Sequence, residues 1–257
     1  MLQGKVALVT GAGSGIGKAI AAAFSKHGAF TFVLDQNAES AEGVAKEIEQ
    51  GGCHAAALHA DVASTEQISK AFDQVRRRTP KLDILVNNAG IYVNQNALTL
   101  KEADWERCMN VDLKGAWLCA KHALPMMAAA GGGSVINIAS THAIRAQGNA
   151  FPYGVAKSGL LALTKSLAVD FGKDGIRVNS ISPGLVQTPL TTDYFARNPA
   201  LSMEKLAALQ PLPVKIYGED IANAALFLAS EMARCITGVN LIVDGGRMAF
   251  SGFRHDK

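Results

Sequence analysis

The chain is poor in cysteine. It has four in 257 residues, Cys53, Cys108, Cys119 and Cys235, and none stands in a C-x-x-C pair. That spacing offers neither a disulfide framework nor a zinc site, and the thiols are expected to be reduced, mostly packing residues in a cytoplasmic protein. Charge of one sign is scarce as well, with a formal net charge of +3. The basic cluster Arg76-Arg77-Arg78 has no aromatic residues interleaved and closes a helical pattern, where positive charge suits the helix dipole. No nucleic-acid partner is expected. No apolar stretch is long enough to cross a bilayer; even residues 116–130 are interrupted by Lys121 and His122. Met1-Leu2-Gln3-Gly4 leads directly into a strand pattern, so no signal peptide is expected. No Pro/Gly/Ser linker, low-complexity tract or repeat divides the chain, and residues 1–257 are expected to form one domain.

What is present is a strict alternation of two periodicities. Strand patterns fall near residues 5–10, 30–35, 54–60, 82–87, 134–139, 176–181 and 239–243. Helical patterns fill most gaps, at 15–27, 38–50, 65–78, 103–130, 150–172 and 219–230. Alternation of this kind implies an α/β fold: a Rossmann-type, doubly wound parallel sheet of about seven strands with helices on both faces. Ligands of such sheets lie beyond the carboxyl ends of the strands.

The first strand runs straight into Gly11-Ala12-Gly13-Ser14-Gly15-Ile16-Gly17, and an alanine-rich helical stretch follows. Glycines there permit a tight turn and let the backbone approach a pyrophosphate seated on the N–H groups that open the helix. The second strand ends in Asp35. A carboxylate at that tip can accept hydrogen bonds from the adenosine ribose hydroxyls and repels a 2′-phosphate. Neither Ser14 nor Gln36 supplies a balancing positive charge. The expected cofactor is NAD rather than NADP.

Tyr153 and Lys157 are four residues apart in a helical pattern, so they project from one face. A phenol with its ordinary pKa of about 10 is a poor base at neutral pH, and a neighbouring ammonium favours its ionised form. Ser140 lies thirteen residues before the tyrosine, just past a strand. By itself Asn110 reads as a capping or helix-kinking residue.

These residues together resemble the short-chain dehydrogenase/reductase family, in its single-domain branch, over residues 5–246. The matching pieces are Thr10-Gly11-x-x-x-Gly15-x-Gly17, Asp61-Val62, Asn87-Asn88-Ala89-Gly90, Asn110-Val111-Asp112, Ser140, Tyr153-x-x-x-Lys157, Pro183-Gly184 and Asp244-Gly245-Gly246. The resemblance implies that Tyr153 is the general acid/base, with Lys157 lowering its pKa and bonding the nicotinamide ribose. Ser140 then polarises the substrate oxygen, and Asn110 holds a water that links Lys157 to solvent. It also implies that Asp61 and Val62 meet the adenine and that Asn88, Ala89 and Gly90 line the cofactor cleft. Pro183, Gly184, Val186 and Thr188 reach the nicotinamide side, and Asn87 stabilises the central sheet.

Substrate contacts are expected from the loop between Ser140 and Tyr153. His142, Arg145, Gln147 and Asn149 offer a polar pocket, joined by Asn94, Gln95 and Asn96. It suits a sugar, polyol or hydroxy acid, and Arg145 can pair a carboxylate bidentately; Arg145 and Gln147 serve equally well as plain surface cover. Residues 185–217, punctuated by Pro189, Pro199, Pro211 and Pro213, are expected to form a substrate lid with a short helix at 201–209. The functional expectation is an NAD-dependent dehydrogenase of a small polar secondary alcohol. A 3-oxoacyl thioester reductase is the alternative, and a non-catalytic NAD-binding protein is the third reading. By resemblance the chain assembles as a homotetramer.

Overall fold

Strands built from continuous apolar runs are stable only where both faces are covered, and that condition sets the architecture. The computed structural model describes residues 1–148, 150–197, 202–208 and 210–250. Seven strands form one sheet: β1 Val6–Thr10, β2 Phe30–Asp35, β3 His54–His59, β4 Ile84–Asn87, β5 Gly133–Ile138, β6 Ile176–Pro183 and β7 Asn240–Val243. Their order is β7-β6-β5-β4-β1-β2-β3, and every neighbouring pair is parallel. All seven fall where the periodicity places them.

Alternate side chains divide between two cores, as the two-residue period requires. Ala7 and Val9 of β1 pack with Ile20 and Phe24 of α1 (Gly15–Lys26), Val44 and Ile48 of α2 (Ala38–Gln50), and a late helix considered below. Val6 and Leu8 face the other way, onto Ile68 and Phe72 of α3 (Thr65–Arg78). Arg76, Arg77 and Arg78 occupy the last turn of α3, and Arg76 pairs with Asp73 at 2.7 Å. Two successive crossovers carry the chain from β1 outward to β3, and β4 then returns to the opposite side of β1. The carboxyl ends of β1 and β4 therefore open a crevice at the switch of direction.

The helical pattern at 103–130 resolves into three pieces. These are α4 (Glu102–Met109), a π-helical turn at Asn110–Lys114, and α5 (Gly115–Ala129). A π turn accommodates one extra residue without ending the helix, so hydrophobic periodicity does not reveal it. Next comes α6 (Tyr153–Phe171). In the stretch expected to be a lid, α7 covers Pro189–Arg197 and α8 covers Met203–Ala207. Ser202 caps α8 by accepting the Lys205 N–H at 3.2 Å. The last helix, α9 (Gly218–Ala229), packs Ile221 and Ala225 against the α1 side of the sheet. Among the described residues, no helix is long and apolar enough to cross a membrane.

A buried polar ladder fastens α6 to the sheet. Asn87 Nδ2 donates to Asn137 Oδ1 at 2.8 Å, Asn137 Nδ2 donates to Thr164 Oγ1 at 2.9 Å, and the Thr164 hydroxyl donates to Leu160 O at 2.7 Å. Asn87, Asn137 and Thr164 are each almost wholly buried. Removing one rung strands its neighbours without water. Asn137→Ala is expected to cost about 1–3 kcal/mol, read as a lower urea midpoint at unchanged slope; a midpoint equal to the parent's contradicts the ladder.

Candidate active site

The crevice at the sheet's carboxyl edge is a cleft of about 1090 Å³. Its nucleotide end begins where β1 turns into α1. Gly11 and Gly15 hold φ of 61° and 54°, the left-handed region that favours glycine. A Cβ on Gly17 would lie 2.3 Å from Gly11 O, so only glycine lets α1 approach its own loop. Gly17 shapes the loop from behind, whereas Gly11, Ser14, Gly15 and Ile16 line the cleft. The Ser14 side chain makes no capping bond and the first turn of α1 has no acidic residue, which leaves the opening N–H groups available to an anion.

Asp35 accepts the Gly13 N–H at 2.9 Å and the Asn37 N–H at 2.9 Å, one on each carboxylate oxygen. Each oxygen keeps a further lone-pair direction for a ribose hydroxyl. Leu34, Asp35, Gln36, Ala60, Asp61 and Val62 wall this end, with two carboxylates and no basic side chain. Asn88, Ala89 and Gly90 line the cleft after β4. Asn88 also does structural work, since its Nδ2 donates to Thr10 O and Gly11 O at 2.9 and 3.0 Å and clamps the glycine loop. Pro183, Gly184, Val186 and Thr188 close the far wall. An uncapped helix start, a glycine cradle with no room for a Cβ and a carboxylate at the β2 tip together fit NAD.

At the other end stand Ser140, Tyr153 and Lys157. Ser140 and Tyr153 both line the cleft, Ser140 eases ionisation of the phenol, and Ser140 Oγ accepts the His142 N–H at 3.1 Å. Lys157 Nζ lies 5.5 Å from the tyrosine ring centroid and donates to Ile138 O at 3.2 Å. Its second partner is Asp112 Oδ2 at 3.1 Å, in an ion pair whose side chains are 4% and 0% exposed. Burial pushes the Tyr153 phenol above its ordinary pKa, and this outweighs the downward pull of Lys157; Asp112 adds to the rise. The ring is only partly covered, so water in the cleft tempers the push. Lys157 is held above its ordinary value because Asp112 and Tyr153 more than offset its burial.

Asn110 lines the cleft as expected of a residue that holds a water there, while the direct polar partner of Lys157 from the same turn is Asp112, which sequence reasoning missed. The sequence carries a signal for it. Cys108, Asp112, Ala116, Cys119 and Ala123 recur at three- and four-residue spacing and all are buried. A carboxylate on an apolar stripe needs a cationic partner.

On the substrate side, His142, Arg145 and Gln147 line the cleft, together with Tyr92, Arg247 and Met248, which sequence reasoning missed. Tyr92 packs edge-on against Tyr153, with centroids 4.9 Å apart. Burial holds the His142 imidazole below its ordinary pKa. Asn94, Gln95 and Asn96 do not join the pocket. Asn94 and Gln95 pair antiparallel with Pro152 and Phe151, and Asn96 Oδ1 accepts the Leu98 N–H at 2.9 Å. Asn149 lies outside the described residues.

The glycine cradle is directly testable. Gly17→Ala is expected to cost about 1–3 kcal/mol of stability through overpacking and to weaken NAD binding in calorimetric titration. Parental stability and affinity together would show that the loop has room to spare.

Comparisons with known proteins place the whole chain beside dehydrogenases. The family described as Enoyl-(Acyl carrier protein) reductase, adh_short_C2, matches residues 11–247. The cis-4-hydroxycyclohexanecarboxylate dehydrogenase of Sinomonas cyclohexanicum is 39% identical over 246 residues, covering 95% of this chain and 97% of its own. The NAD-dependent glycerol dehydrogenase of Listeria innocua is 38% identical over 244 residues, covering 94% and 93%. A solved structure from Agrobacterium tumefaciens, a candidate gluconate dehydrogenase, superposes with a TM-score of 0.92 at 29% identity over 97% of this chain and 98% of its own. The glycine cradle, the Tyr153–Lys157 pair and these full-length matches converge: the chain belongs to the short-chain dehydrogenase/reductase family.

Proposed function

We propose that this protein is an NAD-dependent dehydrogenase that interconverts a secondary alcohol and a ketone on a small polar substrate. The observation that carries the proposal is a phenol set beside the Lys157 ammonium, 5.5 Å from Nζ to the ring centroid, on a cleft wall it shares with Ser140. It stands on the wall of a cleft whose other end is the glycine cradle. When bound, the nicotinamide supplies the hydride acceptor. The chain's own residues do the rest. Ser140 holds the substrate oxygen, and Tyr153 removes the hydroxyl proton in oxidation or returns one in reduction. Lys157 stabilises the phenolate while it exists. The cleft walls fix the carbinol carbon against the dinucleotide end, converting an encounter into a positioned reaction.

Asp35 and Asp61 support NAD over NADP, since a 2′-phosphate beside two carboxylates meets Coulomb repulsion. The same carboxylates disfavour an NADPH-linked 3-oxoacyl thioester reductase. A substrate with hydroxyl groups and a carboxylate suits the pocket best. Arg145 and Arg247 both line it, and among the described residues neither makes an ion pair. The names of the Sinomonas, Listeria and Agrobacterium proteins, a hydroxy acid, a polyol and a sugar acid dehydrogenase, support this range. A cytoplasmic homotetramer is part of the proposal. Exposed Trp117 of α5, Val169 of α6 and Ile242 of the edge strand β7 give it apolar surface to bury.

Two variants test the reading. Tyr153→Phe is expected to keep NAD binding while losing about 10²–10⁴-fold in turnover, and parental activity would sink the assignment. Asp35→Ser is expected to raise kcat/KM with NADP relative to NAD; an unchanged ratio would remove Asp35 from cofactor choice.

A further inference from the structure

A carboxylate and an ammonium withdrawn from water beside a phenol form a charge system of three groups, and Asp112 is its negative member. Its side chain is fully covered, Oδ1 accepts the Ile91 N–H at 2.8 Å and Oδ2 meets Lys157 Nζ at 3.1 Å. The surrounding backbone is moulded around the pair. A Cβ on Gly90 would come within 2.9 Å of Asp112 Oδ2 and 3.0 Å of Lys157 Nζ, so glycine is what the loop after β4 accommodates there. The π turn at Asn110–Lys114 carries Asp112 on the inner side of the helix, facing α6.

We propose that Asp112 is a positioning residue of the proton-transfer step: its carboxylate pins the Lys157 ammonium and offsets that positive charge at the Tyr153 oxygen. This inference rests on Tyr153 being the proton-transfer group. A lysine alone would make the phenol a markedly stronger acid, whereas a lysine already paired with a buried carboxylate does so less. Tyr153 therefore keeps its proton to higher pH, the state that donates to a ketone, and alcohol oxidation is favoured under alkaline conditions.

No other group packed around the phenol takes over the negative role at neutral pH. From α4, the Cys108 thiol is pushed up to about 12 by burial and is neutral. From the loop after β5 come the uncharged Ser140 hydroxyl and the His142 ring, 5.8 Å away edge-on and held neutral by burial. From the loop after β4 come the Tyr92 ring and the Ile91 N–H, and from the end of β5 the Ile138 carbonyl, a dipole without net charge. Burial pushes the Asp112 carboxyl above its ordinary pKa while Lys157 and the Ile91 N–H pull it back, and in the 3.1 Å pair it supplies the charge opposite the ammonium.

The test needs no substrate. The chain has four tyrosines, and ultraviolet difference titration of cofactor-free protein, with Tyr153→Phe subtracted, isolates the Tyr153 phenolate. Asp112→Asn preserves shape and the acceptor for Ile91 while removing the charge. Its Tyr153 is expected to ionise at a pH lower by about one unit or more. Asp112→Ser, whose hydroxyl also accepts an N–H bond, is read in the same way should the amide disturb folding. A midpoint that stays in place, rises, or remains out of reach before alkaline unfolding in parent and variant alike overturns the inference. Turnover by Tyr153→Phe is scored separately. An inactive Tyr153→Phe with an unmoved Asp112→Asn midpoint removes Asp112 and leaves the dehydrogenase reading standing, and a fully active Tyr153→Phe removes both.

Discussion

An ammonium group withdrawn from water stays charged only where dipoles and a counter-charge replace its hydration. Lys157 is such a group, and much of the site's construction serves to keep it there. The end of β5 supplies a carbonyl at 3.2 Å, and the π turn between α4 and α5 supplies a carboxylate at 3.1 Å. The loop after β4 gives up a side chain at Gly90 to make room. The Asn87–Asn137–Thr164 ladder then holds α6 at the height where Tyr153, one turn before Lys157, reaches the cleft wall. Loss of the ammonium's position would leave a buried carboxylate unpaired and a phenol with no cation near it.

The parallel sheet explains why this apparatus and a dinucleotide site share one cleft. Strands β1, β2 and β4 end at the same edge, so the glycine cradle, Asp35 and the loop from Asn88 to Gly90 are brought together by topology. Electrostatics divides the cleft lengthwise. The nucleotide end carries Asp35 and Asp61 beside an uncapped helix start, which suits ribose hydroxyls next to a pyrophosphate. The opposite end carries Arg145, Arg247 and the paired Lys157, which suits a polar, anionic substrate.

Most of this is legible in the sequence itself, for a physical reason. Parallel strands covered on both faces are continuous apolar runs, and β1 to β7 lie where those runs do. The glycine string, Asp35, Ser140 and the i,i+4 pair of Tyr153 and Lys157 are local patterns, and the fold gathers them in one cleft. What depended on tertiary register was hidden. That Asp112 is buried where it can pair with Lys157 follows from the helical stripe through Cys108 and Ala116 rather than from side-chain chemistry. Asn94 to Asn96 look like a polar pocket in one dimension, but Asn94 and Gln95 sit in a short strand pair outside the cleft, the Gln95 amide donates to Asp104, and Asn96 closes a turn. Arg247, far along the chain beyond β7, enters the cleft only because Asp244 folds the segment back by accepting the Gly246 and Met248 N–H groups at 2.8 and 2.7 Å.

The central claim is that the cleft oxidises a polar secondary alcohol with NAD. The measurement that meets it most directly follows nicotinamide absorbance with purified protein and NAD across a panel of hydroxy acids, sugar acids and polyols. 3-Oxoacyl thioesters are run in reverse with NADH and with NADPH. NADH formation with a polar alcohol, strongest for those bearing a carboxylate, is the predicted result. Turnover confined to an oxoacyl thioester with NADPH would contradict both the substrate class and the role given to Asp35.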